Sequence, residues 1–262
     1  MCIPDTPVSD YFTRPERLSA AETGARGELT MAALERRIIV AATEHADNLG
    51  VGYDELLTDG NAWVLSRMSI EMERMPRIHD TFRIVTWIET INRHLSERNA
   101  SIIDAEGRPM GHARSLWACI NIASRRPASI NMADAMVSSR PCPIAPQPRL
   151  RPVEAPSIVA PCRFTYSDID FNRHVNSARY VEHIDNCFPL SFHDGHRLQR
   201  IDIAYLREAP YDSEALVKIA PLPDSPLTFS VDIDSAGAPA VTHCRALLRF
   251  VSCPSSGFMA KI

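Results

Sequence analysis

The chain has 262 residues, 45% of them apolar, and a formal net charge of -4 at pH 7. That length holds one large domain or two modest ones, and the charge balance gives no basic surplus of the kind nucleic acid attracts. Seven cysteines, Cys2, Cys119, Cys142, Cys162, Cys187, Cys244 and Cys253, are odd in number and show no Cys-x-x-Cys pair or zinc spacing. They point to a reducing compartment. The start, Met1-Cys2-Ile3-Pro4-Asp5, has no basic stretch followed by an apolar run, and no segment is long and apolar enough to span a bilayer. The expectation is a cytoplasmic protein without stable membrane insertion.

Residues 1–10, with Pro4 and Pro7, read as a loose lead-in, and Tyr11 to Leu18 as a strand interrupted by Pro15. Thr30 is a suitable N-cap for a helix whose buried stripe is Met31, Leu34, Ile38, Ile39, Ala42 and His45, ending near Leu49-Gly50. His45 is expected to face solvent or cap the core. Tyr53 to Leu57 reads as a short helix. Trp63 to Met72 alternates as a strand, with Val64, Ser66, Met68, Ile70 and Met72 on one face, and Pro76 ends it. Three further strands are expected: Thr81 to Ile88, Arg93 to Ile103 and Met110 to Ile122, the last two joined by the turn Asp104-Ala105-Glu106-Gly107. Residues 67–122 thus read as an antiparallel meander behind the first helix.

Seven prolines between residues 141 and 161 exclude a lasting regular element there and mark a stiff, extended linker. Beyond it the pattern starts again. Ser177 to Phe188 is a helix, and Leu198 to Arg207, Ala215 to Ile219 and Leu227 to Ile233 are strands. Asp234, Gly237 and Pro239 echo Asp104, Gly107 and Pro109, and Arg245-Ala246-Leu247 echoes Arg114-Ser115-Leu116. The weak repeat argues for two copies of one α+β unit, over residues 1–140 and 162–262, joined by 141–161.

Polar side chains crowd one stretch, Asp168-Ile169-Asp170-Phe171-Asn172-Arg173-His174-Val175-Asn176. The apolar stripe Val175, Ala178, Val181, Ile184, Cys187 and Phe188 follows at helical spacing. The residues alone allow two readings. One is a helix start rich in capping groups, with Asp170 or Asn172 as the cap. The other is a site for an anion, a carbonyl oxygen or a developing negative charge.

The run Asp170-x-Asn172-x-His174-Val175-Asn176 resembles the second-domain active-site motif of the acyl-acyl-carrier-protein (acyl-ACP) thioesterases. Tyr205-Leu206-Arg207-Glu208-Ala209 resembles the later strand of that family, which ends in a catalytic Glu. Trp63 to Glu71 resembles its first-domain strand, and the likeness spans roughly residues 10 to 252. The resemblance implies two hot-dog domains, each a long helix wrapped by an antiparallel sheet. It also implies thioester hydrolysis without cofactor or metal. Glu208 is then the base for water, and His174 orients water or shares its proton. Asn172 contacts water and carbonyl, Asp170 fixes that amide or the turn, and backbone donors from His174 to Asn176 supply an oxyanion site. Asn176 either touches substrate or closes the helix turn. Relatives often carry Cys after the Glu; Ala209 stands here, which excludes a cysteine nucleophile at that position.

By the same resemblance the first domain holds the acyl chain. Met68, Ile70, Met72 and Trp117 are candidate pocket residues by strand phase, each also readable as core. Arg125 and Arg126 read as a contact for an acidic acyl carrier protein or as a solvated pair. A homodimer is compatible with these features. The competing activities are an acyl-coenzyme A thioesterase, a dehydratase and an acyl-binding module without catalysis. No Gly-x-Ser-x-Gly elbow, phosphate loop or dinucleotide fingerprint is present.

Overall fold

A computed structural model describes residues 10–129 and 137–253. The lead-in expected over residues 1–9, with Cys2, lies outside them. The first half contains β1 (Tyr11–Arg17), α1 (Met31–Asn48), α2 (Tyr53–Thr58), β2 (Asn61–Met72), β3 (Thr81–Ile91), β4 (Leu95–Asp104) and β5 (Pro109–Asn121). The second contains β6 (Ile158–Arg163), α3 (Ser177–Asp185), α4 (Leu190–Gly195), β7 (His196–Tyr205), β8 (Glu214–Leu222), β9 (Ser225–Ser235) and β10 (Thr242–Ser252).

The ten strands form one antiparallel sheet in the order β1-β3-β4-β5-β2-β7-β10-β9-β8-β6. Each half therefore repeats the same strand order outward from a central seam, where β2 pairs with β7 and Ser69 lies opposite Asp202. The seam is polar on one side. Ser69 Oγ donates to Asp202 Oδ1 (2.6 Å), and Arg200 bonds both Asp202 (2.8 Å) and Glu71 (2.7 Å). Charge-assisted bonds of this kind add to the register that buried Met68, Ile70, Ile201 and Ile203 set on the other face.

Helix α1 starts where expected: Thr30 Oγ1 accepts from Ala33 N (3.2 Å). It ends at Asn48, with Leu49 as C-cap before Gly50 at φ +68°. Its buried face, including Met31, Leu34, Ile38 and Ala41, joins Ile70, Ile84 and Ile102 in the core cluster. Arg36 ties it to α3 through Glu182 at 2.6 Å.

Several expectations change. The meander is β3-β4-β5; β2 lies on the far side of β5, because residues 73–80 do not make a hairpin turn. Glu73 N bonds Met110 O and Leu29 N bonds Pro76 O, which carries the chain away from β2. Pro15 does not interrupt β1, and β6 takes Ile158 to Pro161 out of the expected linker. Both are edge strands, where proline is tolerated. Residues 141–157 contain no helix or strand and cross the seam, with Gln147 Nε2 donating to Ile203 O (2.9 Å). Helix α3 stops at Asp185, and Pro189 starts α4, which periodicity did not suggest. His45 is 2% exposed and neither faces solvent nor caps the core: its Nδ1 accepts from Arg98 Nη1 at 2.8 Å. The repeat also shifts. Following the pairing out from Ser69 and Asp202, Arg114 corresponds to Leu247, not to Arg245.

Candidate active site

The chain leaves β7 at Tyr205, and Leu206 N and Arg207 N both bond His243 O (2.8 and 3.1 Å). This turns Glu208 toward the loop before α3. Val175 N donates to Ala209 O (3.1 Å), and a bridge joins His174 to Pro210. Two backbone segments are thereby laid side by side, and the result is a contact of 3.3 Å between His174 Nε2 and Glu208 Oε2.

The loop itself is a tight turn held by Asp170. Asp170 N bonds His174 O (2.9 Å), and Arg173 N bonds Asp170 O (3.0 Å). Asp170 Oδ1 accepts from Asn172 N (2.8 Å) and His174 N (3.4 Å). Such an Asx arrangement replaces backbone acceptors in a turn. Arg173 takes φ +65°, and Asn172 is left exposed at the tip. The cap of α3 is Asn176, whose Oδ1 accepts from Ala178 N (3.1 Å), and not Asp170 or Asn172. Asp168 closes a capping box with Thr165 one turn earlier (2.7 and 3.0 Å).

The backbone oxyanion site expected from His174 to Asn176 is not free. His174 N is taken by Asp170, Val175 N by Ala209 O, and Asn176 N by Asp168 O (2.8 Å). Of the loop residues, Asn172 and Asn176 still present side-chain amides to the cavity. Glu208 Oε1 also pairs with Arg125, which arrives from the first half on the turn after β5 with φ +58°. The Arg125 side chain is still 48% exposed, so the pair lies at the protein surface. Glu208 is 38% exposed on its side chain and His174 35%, so both meet solvent and a substrate.

These residues open on a cavity of about 980 Å³. It lies where β2 and β7 part: their pairing stops at Arg67 opposite Ala204, and Ala62 to Leu65 and Tyr205 to Glu208 line the gap beyond. Asp170, Asn172, His174, Asn176, Glu208 and Trp117 all line it. Met68, Ile70 and Met72 do not. They are at most 1% exposed, on the paired part of β2 under the core. A bulge between Leu65 and Arg67 moves the strand's alternation by one residue, so Leu65, not Ser66, joins the core side with Met68.

Sequence reasoning missed a buried network beneath the site. Tyr205 Oη donates to Glu35 Oε1 (2.6 Å), joining α1 to the end of β7. Burial pushes the Glu35 carboxyl up to about 7, against the bonds from Tyr205 and Ser177 that pull it down. The only sequence signal was a Glu on the apolar face of α1. Cys187 fills space as expected: its Sγ donates to His183 O (3.3 Å), and burial pushes its thiol up. Among the described residues no cluster of His, Cys, Asp and Glu could hold a metal ion.

Residues 10–137 match the acyl-ACP thioesterase N-terminal domain and residues 154–230 its C-terminal domain. The chain belongs to the acyl-ACP thioesterase family. The structure superposes on an acyl-ACP thioesterase from Bacteroides thetaiotaomicron with a TM-score of 0.85 and 33% identity, covering 92% of this chain and 98% of that one. It superposes on the 12:0-ACP thioesterase from Umbellularia californica with a TM-score of 0.82 and 19% identity, over 94% of this chain and 98% of that one, a likeness of fold. The acyl-ACP thioesterase fold of paired hot-dog units, each a helix on an antiparallel sheet, is therefore the fold of this chain. By sequence it is 24% identical over 254 residues to a chloroplastic palmitoyl-acyl carrier protein thioesterase of Gossypium hirsutum, covering 91% of this chain and 60% of that protein. It is 26% identical to oleoyl-acyl carrier protein thioesterase 2 of Arabidopsis thaliana, covering 78% and 62%. The chain thus spans about three fifths of the length of these plant relatives. Among the described residues no helix is long and apolar enough to cross a membrane.

Proposed function

We propose that this acyl-ACP thioesterase homologue hydrolyses fatty acyl groups from acyl carrier protein and releases the free acid, ending chain growth. The observation that carries the reading is the contact of His174 with Glu208 on the lining of a cavity of about 980 Å³ that Asn172 also lines. Glu208 accepts the proton of a water molecule. Its two oxygens are oriented by Arg125 and His174, and a carboxylate has further lone pairs for water. The water oxygen bonds to the thioester carbon, and negative charge develops on the carbonyl oxygen. The Asn172 and Asn176 amides stabilise that charge, in place of the spent backbone donors. The carbon–sulfur bond then breaks, and the proton held by Glu208 passes to the departing thiolate. Asp170 holds the loop shape and does not touch the reacting atoms. The acyl chain lies between α1 and the first-half sheet, against Trp63, Leu65 and Trp117.

The test is thiol release from one acyl group presented on acyl carrier protein and on coenzyme A. The reading expects a higher kcat/KM on the carrier protein. A clear preference for coenzyme A reverses the substrate assignment, and hydration of an enoyl thioester with the thioester retained replaces hydrolysis by dehydratase chemistry.

A further inference from the structure

The far end of the cavity is not apolar. Arg98 lies on β4 and lines it, beside Ser96 on the same face of that strand. Arg98 is 7% exposed, and burial lowers its pKa to about 10, so it is charged at neutral pH. Among the described residues it faces no carboxylate; its one side-chain partner is His45 Nδ1 at 2.8 Å. His45 is no counter-ion. Burial and the neighbouring Arg98 lower its pKa to about 4, so the ring is neutral. The nearby acid Asp10 accepts instead from Ser138 Oγ (2.6 Å). Ser96 Oγ and His45 Nε2 are buried with no hydrogen-bond partner among the described residues.

A buried guanidinium without a carboxylate is costly, and so is each unsatisfied donor beside it. The other half of the molecule shows what the fold places there otherwise. Arg98 lies opposite Ser115, which lies opposite Met68. The equivalent path in the second half runs from Ile201 to Leu248 to Phe229. Phe229 packs against Phe188 and Phe250 at ring distances of 5.2 and 5.9 Å. An aromatic ring thus serves that position in one copy, while a charge with idle donors beside it lines the cavity in the other. A purely hydrocarbon chain would leave those donors unmet.

We infer that the cavity is built for acyl chains that carry an oxygen function, a hydroxyl, keto or carboxylate group, which accepts from Arg98 and Ser96 at the end of the tunnel away from the thioester. The inference rests on the acyl-thioester reading of the site and names the substrate class within it. Arg98 is three strands from β7, roughly 14 Å at the usual strand spacing, so the oxygen belongs well along the chain and not beside the thioester.

The test uses pantetheine amides, in which nitrogen replaces the thioester sulfur so that they bind without being cleaved. Dodecanoyl, omega-hydroxydodecanoyl and omega-carboxyundecanoyl amides are titrated by calorimetry into the full chain. At least one oxygenated amide should bind ten-fold tighter than the plain one, and Arg98→Met should close that gap while leaving the plain amide bound as well or better. Equal or tighter binding of the plain amide to the unmodified protein overturns the inference, whether or not the variant folds. The oxygenated arm that wins separates a neutral acceptor from an anion. Hydrolysis of the matching acyl-carrier thioesters is followed separately. If none is cleaved, the hydrolase reading fails, while the binding comparison still decides what the cavity accepts.

Discussion

The loop before α1 and the loop before α3 share one backbone. Gly24 N bonds Glu28 O and Gly27 N bonds Gly24 O, as Asp170 N bonds His174 O and Arg173 N bonds Asp170 O. Leu29 N reaches Pro76 O as Val175 N reaches Ala209 O. The left-handed residue falls at the same place, Gly27 at φ +68° and Arg173 at φ +65°. Only the side chains differ. Gly24, Arg26, Glu28 and buried Met75 stand where the second half has Asp170, Asn172, His174 and Glu208. In the first half Arg26 pairs with Glu28 at 3.4 Å and donates to Asp194 O, so the polar groups of that loop are already paired. The turn is therefore a property of the fold, and the two copies differ in the side chains they place on it.

The largest expected effect comes from making the second loop as inert as the first. Glu208→Gln keeps size and hydrogen bonding but removes the base. Turnover on saturating acyl-carrier substrate should fall by about 10²–10⁴, with an unchanged melting curve; near-normal turnover would remove Glu208 from the mechanism. Asn172→Ala should lower kcat by about 10², because the variant has no amide to meet the developing charge. A kcat within two-fold of the unmodified protein would return the oxyanion role to some other group. Arg125→Met leaves Glu208 oriented by His174 alone, and kcat is expected to drop by roughly ten-fold while the pH profile of kcat changes. An unchanged profile would reduce Arg125 to a surface contact.

Glu35→Gln acts on stability. The folded carboxyl has a pKa raised from 4.5 to about 7, so the folded state holds a proton that the unfolded state releases. Stability is then highest below the unfolded pKa and declines as pH rises toward the folded one, by no more than roughly 3 kcal/mol. Glu35→Gln should flatten that decline in denaturant titrations between pH 4.5 and 7; the same slope in both proteins would place the titrating group elsewhere. Smallest is Arg173→Gly, which copies Gly27. Relief of the left-handed side chain, partly offset by glycine's greater freedom when unfolded, should raise stability by up to about 1 kcal/mol with turnover unchanged.

The comparison also explains what could be read beforehand. Thr30 and Gly50 mark the ends of α1, and the apolar stripes mark α1 and α3, because capping and periodicity are local properties. The polar run from Asp170 to Asn176 was visible for the same reason. Partner choice was not local. Nothing in Asn61 to Met72 says that the strand pairs with β5 and β7, and the bulge before Arg67 that redirects Leu65 leaves no mark on the alternation. This is why Met68, Ile70 and Met72 fall in the core while Trp63 lines the cavity. Arg125, Glu35 and Arg98 acquire their surroundings only when residues far apart in sequence meet. The occupied backbone donors at His174, Val175 and Asn176 are likewise a result of long-range pairing.

Pro15 and Pro161 sit on the two outermost strands, the places where a ten-stranded sheet would otherwise offer a continuous row of donors to another molecule. A proline has no such donor to give, and each interrupts its row near the middle of a short strand. Each edge is thereby a poorer template for edge-to-edge pairing than an unbroken strand of the same length.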